Sequence, residues 1–436
     1  MTREPVPVMA DNRAISAATI GRVRQQLVAR VPSEILNPFG RTADDEQALR
    51  DAIKAILDDP ELDLSSTPAL VAAVEAAVVG LGPLQPLVAD PEISDILVNG
   101  PDAVFVERRG RLESTDVRLG SSRELIELSE RIAALAGREL SVAHPIVDAR
   151  MADGSRVNAV IPPVGGPYLS IRKFNRLRLD LLPSGRHGRD WVTEGGLSAE
   201  MAELLAKLVH ARANFLVAGE TGAGKTTFLR SLTDLFDPAE RVGVVEDTAE
   251  LDLDNANRFN LETLHPHDIA AGDAENRLLD VGDLVANALR MRPDRLVVGE
   301  VRLPKEAFYT LQALHTGHDG SATTVHASSA EDALFRIELL ARQSMHDLSL
   351  ADLRAYIARV FDVVVVLRRQ RSGLRIVRQL AALDGVKADG EYALTELFEA
   401  HLGTDSAPSW IRHEAWRPSV RLTARLEGQE AATWSS

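Results

Sequence analysis

Gly219-Glu220-Thr221-Gly222-Ala223-Gly224-Lys225-Thr226 stands between an apolar run, Asn214-Phe215-Leu216-Val217-Ala218, and a segment at 226–235 with helical spacing. The run reads as a buried parallel strand, so the glycine-rich stretch joins strand to helix, the context that a phosphate-binding loop requires. Glycines let the backbone curl with its N–H groups inward, the helix N-terminus adds partial positive charge, and Lys225 reaches the terminal phosphates. Thr226 offers a hydroxyl to Mg²⁺. The expected ligand is a nucleoside triphosphate. The loop alone names no reaction, because kinases, GTPases, transporters, helicases and secretion motors share it.

Strand-like runs at 215–218, 242–245, 296–298, 322–325 and 363–367 alternate with helical stretches, which predicts an α/β domain with a doubly wound parallel sheet. Ligands of such sheets bind beyond the carboxyl ends of the strands, and reactive side chains follow these runs at once. Val245 leads into Glu246, Asp247 and Glu250, and Val298 into Gly299, Glu300, Val301 and Arg302. One carboxylate can hold the water shell of a metal while another positions or deprotonates the attacking water. Glu246 and Glu300 are the candidates, and which of them is the base is left open. Capping of the following helices is the plain alternative for any single acid. His326 directly follows the 322–325 run, where a side chain can sense a terminal phosphate, whereas His318 lies in a glycine-flanked turn and serves equally well as a packing residue.

Composition sets outer bounds. With 436 residues and 45% hydrophobic content, the chain can bury cores in two or three domains. The best membrane candidate, 70–87, is broken by Glu75, Gly80, Gly82 and Pro83, and the polar, proline-containing start at 2–13 does not read as a cleavable signal. A cytoplasmic location is the default expectation. The lack of cysteine excludes disulfides and cysteine-ligated metal sites, and the net charge of −15 argues against a nucleic-acid surface.

Four segments are expected. Residues 1–66 are charged and alanine-rich, with helical pieces such as 20–31 separated by Pro32, Pro38 and Gly40, and read as a loosely attached helical arm. Residues 67–174 read as a smaller mixed α/β N-terminal domain: a helix to 79, a strand at 96–98, a hairpin of 103–107 and 112–117 turning at Gly110, a helix at 125–136, and strands at 157–161 and 168–171. Glycines and prolines at 175–197 suggest a linker or hinge, and 198–436 is the nucleotide-binding domain with a C-terminal extension, weakly patterned from 382 on.

The run Leu289-Arg290-Met291-Arg292-Pro293-Asp294-Arg295-Leu296-Val297-Val298-Gly299-Glu300-Val301-Arg302, with Thr316-Gly317-His318-Asp319-Gly320-Ser321 and Val325-His326-Ala327, closely resembles the type II/IV secretion ATPases. Within them it is similar to the CpaF/TadA subfamily, the motors of Tad (Flp) pilus assembly. The first domain agrees through Gly80-Leu81-Gly82-Pro83-Leu84, Val98-Asn99-Gly100, Val147-Asp148-Ala149-Arg150, Asp153-Gly154-Ser155-Arg156-Val157-Asn158 and Ser170-Ile171-Arg172-Lys173-Phe174. The resemblance spans roughly 70–370.

It implies a RecA-like P-loop NTPase domain, ATP and Mg²⁺ as cofactors, and a homo-hexameric ring hydrolysing ATP at subunit interfaces. It also implies peripheral association with the cytoplasmic membrane through an inner-membrane platform protein, driving pilin assembly, secretion or conjugation-type transfer; the acidic balance of the chain adds the expectation of no nucleic-acid partner. By position Gly219 to Thr227, thus including Thr227, is the Walker A loop, 246–250 the acidic box, Glu300 the Walker B acid holding Mg²⁺ with Thr226, and 316–326 the histidine box. Arg156, Arg172 and Lys173 match the first-domain cations that approach phosphate in such ATPases, although each serves equally as a surface ion-pairing residue. The loop at 163–167, the linker and Leu303-Pro304-Lys305 depart from the subfamily pattern and put partner contacts in doubt. Two other classes stay in view: a nucleic-acid translocase, marked by DNA-stimulated turnover, and a nucleotide-sensing scaffold, against which the acids Glu246 and Glu300 argue. No Asn-Lys-x-Asp or Leu-Ser-Gly-Gly-Gln motif directs the loop to other families.

Overall fold

Side-chain alternation divides the strands of the second half of the chain between two hydrophobic layers. Phe215 and Val217 face one layer with Val244, Val297, Val363 and Val365, while Leu216 and Ala218 face the other with Val245, Leu296, Val298, Val364 and Val366. A strand apolar on both sides must be covered on both sides, which is why it reads as a continuous apolar run. In this computed structural model, residues 8–10, 13–15, 17–36, 42–59, 66–78, 80–151, 153–174, 178–263, 279–401, 408–413 and 422–426 are described.

The chain forms two compact units, Met1–Asn175 and Arg176–Ser436. In the second, the described residues build a nine-stranded sheet in the order Arg258–Glu262, Val242–Glu246, Arg295–Val298, Ala322–Val325, Phe215–Gly219, Val363–Arg369, Arg375–Val386, Tyr392–His401, Ser409–Arg412. The first six are parallel, and the last three continue antiparallel. Helices Ala199–His210 and Lys225–Thr233 cover one face, and Val281–Ala288, Pro304–His315, Ala330–Arg342 and Leu350–Val360 the other. Each fully buried Val, Leu or Phe contributes roughly 1.5–3 kcal/mol relative to exposure. The five parallel strands expected from the apolar runs are present, and the doubly wound α/β class holds. Strand Arg258–Glu262 and the antiparallel strands from Arg375 onward escaped the sequence reading.

The first unit carries a six-stranded antiparallel sheet, ordered Arg111–Ser114, Val104–Arg108, Ile93–Val98, Tyr168–Arg172, Arg156–Val160, Ile146–Arg150. The expected hairpin turns at Arg109 and Gly110, both at positive φ (50° and 77°), the geometry that matches strand twist. Helix Ser122–Leu135 places Leu125, Leu128 and Ile132 against Ile96, Val106, Val157 and Ile171. Strand Ile146–Arg150 was not anticipated. Upstream, helices Ala17–Arg30 and Ala43–Leu57 share a small core with Pro68–Val78 through Val23, Leu27, Leu49, Ile53, Val71 and Val74. The arm is therefore packed against the helix that the sequence assigned to the next domain.

The expected linker needs correction. Residues 175–177 lie outside the described residues, but 178–197 belong to the second unit, where Leu181, Trp191 and Leu197 are core residues. Trp191 meets Phe228 edge-on at 5.2 Å, and its indole N–H donates to Ser231 Oγ at 2.9 Å. Glycine and proline content suggested a linker; the apolar residues between them supply enough buried area to dock the segment. Trp191→Ala should lower the unfolding free energy by about 3–5 kcal/mol in urea titration, whereas a linker tryptophan would change it by less than roughly 0.5 kcal/mol.

Candidate functional site

Strand Phe215–Gly219 runs into a loop in which Gly222 and Gly224 adopt φ of 73° and 93°, a region costly for any residue with a Cβ. A Cβ on Gly219 would stand 2.9 Å from the Leu367 carbonyl oxygen, so the neighbouring strand also demands glycine there. Helix Lys225–Thr233 starts directly behind Gly224, directing the unsatisfied N–H groups of its first turn to the loop.

Lys225 Nζ donates to the Gly219 carbonyl at 2.9 Å and lies 3.7 Å from Glu300 Oε1. Burial pulls its pKa below the ordinary lysine value, and the Glu300 charge opposes that pull. The second Glu300 oxygen accepts from Arg302 Nε at 2.7 Å and Nη2 at 2.6 Å, and Arg302 Nη1 reaches Asp247 at 3.5 Å. The Thr226 hydroxyl donates to Glu250 Oε2 at 3.2 Å. Lys225, Thr226 and Glu300 thus come together as the sequence placed them, with Glu250 and Arg302 as close members. Glu220, Thr221, Ala223 and Thr227 complete the loop and the first helical turn, and Ala223 N–H closes onto the Glu220 carbonyl at 3.1 Å.

Glu246 does different work. It is only 4% exposed, and its Oε1 accepts the N–H groups of Glu250 and Leu251, both at 3.0 Å. Ala249 N–H meanwhile donates to Glu262 Oε1 at 3.1 Å, so carboxylates on two adjacent strands suspend the loop that carries Glu250. Burial pushes the Glu246 pKa up to about 7 against the two amides that favour its anion. Gly299 leaves room for it, because a Cβ there would stand 3.0 Å from Glu246 Cγ and press on that side chain.

His326 is exposed one residue beyond the register pair Val325/Ala218, at the loop end of the central strand. His318 holds its own turn, with Nδ1 2.9 Å from the Ala313 carbonyl oxygen. In the first unit, Arg156 and Arg172 face each other across adjacent strands, half-buried and exposed respectively, and Asp95 is the cross-strand neighbour of Arg172 on its other side. Lys173 is turned to the Asp90 carbonyl, and burial lowers its pKa.

Sequence reading missed a support for the acidic loop. Arg178 pairs with Asp252 and Asp254, and His187 sits between Asp180 (Nδ1 to Oδ1, 2.9 Å) and Asp254 (Nε2 to Oδ2, 3.3 Å). Arg178 and His187 lie more than 60 residues from Asp252 and Asp254, and only the alternating acids of Leu251-Asp252-Leu253-Asp254 hinted that a cation would be needed.

The donor set fits the ligands that the loop implies. Positive-φ glycines and a helix N-terminus form a phosphate cradle, and the hydroxyl of Thr226 with the carboxylates of Glu250 and Glu300 are hard oxygen donors suited to Mg²⁺. The family profile described as type II/IV secretion system protein matches residues 77–382. The chain belongs to that family. It is 34% identical over 343 residues to a protein of Mycobacterium tuberculosis named for conjugal transfer, covering 76% of this chain and 91% of that one. It is also 34% identical over 310 residues to the type IV secretion system protein PtlH of Bordetella pertussis, covering 66% and 88%. Among solved structures it is similar to the VirB11 ATPase of the Brucella suis type IV secretion system, at 28% identity and a TM-score of 0.37 over 69% of this chain and 92% of that one.

The Glu246 assignment has a pH consequence. With a folded pKa of about 7 against 4.5 unfolded, the native state binds more protons than the unfolded state between those values, so stability falls as pH rises through that window. Glu246→Gln keeps an oxygen for both amides and removes the titration. Thermal melts at successive pH values should show the variant overtaking wild type toward pH 7–8, by on the order of 3 kcal/mol at most; parallel curves would mean that Glu246 stays ionised throughout.

Proposed function

We propose that this chain is an ATP-hydrolysing motor of the CpaF/TadA type, working as a homo-hexamer on the cytoplasmic side of an inner-membrane platform protein to drive pilus assembly, secretion or conjugal transfer. The observation that carries the reading is the convergence of Lys225, Thr226, Glu250 and Glu300 on one strand–loop–helix phosphate cradle. Family membership and relatives named for conjugal transfer and type IV secretion support the biological setting. Among the described residues no helix is long and apolar enough to cross a membrane, so attachment through a partner protein is the natural arrangement.

In this reading the loop amides and Lys225 bind and neutralise the phosphates, which is most of what phosphoryl transfer asks of a protein. Thr226, Glu250 and Glu300 would hold Mg²⁺ directly or through water. When bound, the ion neutralises charge developing on the phosphate oxygens. We assign the orienting of the attacking water to Glu300 rather than to the buried Glu246; the support is that Glu300 lies 3.7 Å from Lys225 Nζ while Arg302 holds its other oxygen. Glu246 acts through the loop that it suspends, and His326 senses the terminal phosphate. Arg156 and Arg172, rather than the internally engaged Lys173, are the first-unit cations proposed to reach nucleotide in the assembled ring.

The test is ATP turnover together with mass in solution, with and without ATP, Mg²⁺ and single-stranded DNA. Lys225→Ala and Glu300→Ala should each lower kcat by roughly 10²-fold or more while the circular dichroism spectrum and melting temperature persist, and wild-type protein should form hexamers indifferent to DNA. Wild-type turnover in both variants, or a rate driven by DNA, would sink the proposal.

A further inference from the structure

The hairpin after the last parallel strand reads Leu367-Arg368-Arg369-Gln370-Arg371-Ser372-Gly373-Leu374-Arg375, four arginines within nine residues of a chain whose net charge is −15. Its strands, Val363–Arg369 and Arg375–Val386, are antiparallel, and Arg369 stands directly opposite Arg375. Side chains directly opposite each other on a ladder share one face, so what these two arginines touch is set jointly.

Both side chains come up to the phosphate loop. Arg375 Nε donates to the Gly222 carbonyl at 3.1 Å. The same side chain lies against Gly224, where an added Cβ would come 2.9 Å from Arg375 Cδ. Arg369 reaches the other glycine, its Nη1 3.2 Å from where a Cβ on Gly222 would be. Arg375 thus holds the Gly222 carbonyl, and the space that a side chain would need at Gly222 and Gly224 is bordered by Arg369 and Arg375 respectively. The carboxylates of Glu250 and Glu300 stand at Thr226 and Lys225, and Arg302 is committed to Glu300 and Asp247. An anionic ligand arriving here meets these two carboxylates as well as Lys225, so further cations close by favour its binding.

We propose that Arg369 and Arg375 form a clamp within the subunit that positions the phosphate loop and raises its affinity for nucleotide phosphates, an inference that rests on the nucleotide reading above. Arg375 is the positioning residue. By holding the Gly222 carbonyl it fixes the plane of the 222–223 peptide, whose N–H closes onto the Glu220 carbonyl, so the two bonds together hold the curl of the loop. Arg369 supplies a second guanidinium group beside Gly222.

The experiment titrates fluorescent ATP and ADP analogues into the full chain and its Arg375→Gln, Arg375→Lys, Arg369→Gln and Lys225→Ala variants, with melting temperatures taken without nucleotide and KM and kcat for ATP. Arg375→Gln should weaken binding roughly tenfold and raise KM similarly, leaving kcat within about twofold and the melting temperature unchanged. Arg375→Lys should recover part of the affinity, and Arg369→Gln should reduce the salt dependence of binding. Wild-type binding that is lost in Lys225→Ala but kept in both glutamine variants overturns the clamp alone. Weakened binding that tracks a fall in melting temperature, with no recovery in Arg375→Lys, also overturns it by assigning Arg375 to the fold. Failure of wild-type protein to bind nucleotide removes the nucleotide reading and the clamp with it.

Discussion

A buried amide, Asn214, sets the register on which the nucleotide site depends. Its Oδ1 accepts the N–H groups of Gly320 and Ser321 at 2.8 and 3.0 Å, its Nδ2 donates to the Val360 carbonyl at 2.7 Å, and its own N–H donates to Asp362 at 2.8 Å. One side chain thus aligns the starts of strands Ala322–Val325, Phe215–Gly219 and Val363–Arg369. Because these strands are buried on both faces, a slip of one residue would exchange the two hydrophobic layers, and every group at the carboxyl ends would move with it. The positions of Gly219, His326 and the arginine hairpin relative to one another follow from this alignment at the opposite end of the sheet.

At that end the governing problem is electrostatic. Burial disfavours both the Lys225 cation and the Glu246 anion, and the fold answers them differently. Lys225 is drawn into an alternating chain of charge, Lys225–Glu300–Arg302–Asp247, in which each internal member faces an opposite partner on both sides. Glu246 faces main-chain amides instead, and its burial is the weak point of the arrangement. Its cost is offset by what it organises, since holding Glu250 and Leu251 by their N–H groups brings the Glu250 carboxylate to Thr226.

Much of this was legible in the sequence because it follows local rules. The glycines at 222 and 224 announce positive φ, the five apolar runs announce parallel strands, and strand-end acids announce the ligand edge. Arg258-Phe259-Asn260-Leu261-Glu262 went unread because, at the sheet margin, its residues are only partly buried and carry polar side chains. The segment at 178–197 was misread because turn residues dominate its composition, whereas its docking depends on a few apolar side chains. The pairing of Arg178 with Asp252 and Asp254, and of Arg375 with Gly222, joins positions remote in the chain, so no periodicity reports it.

That docked segment links the helix behind the phosphate loop to the acidic loop. Trp191 packs on Phe228 of the helix behind the phosphate loop, and Ser231 Oγ bonds both Trp191 and the Leu179 carbonyl. From the same stretch, Arg178 and His187 reach Asp254 beyond the acidic loop. A displacement of the phosphate-loop helix therefore strains contacts that also bear on the acidic loop, because the shared support is packed core rather than flexible chain. Independent motion of the two loops would require breaking either the tryptophan packing or a partly buried ion-pair cluster. Rearrangement of both loops as one body retains the two sets of contacts, and is the route that the packing leaves at lowest cost.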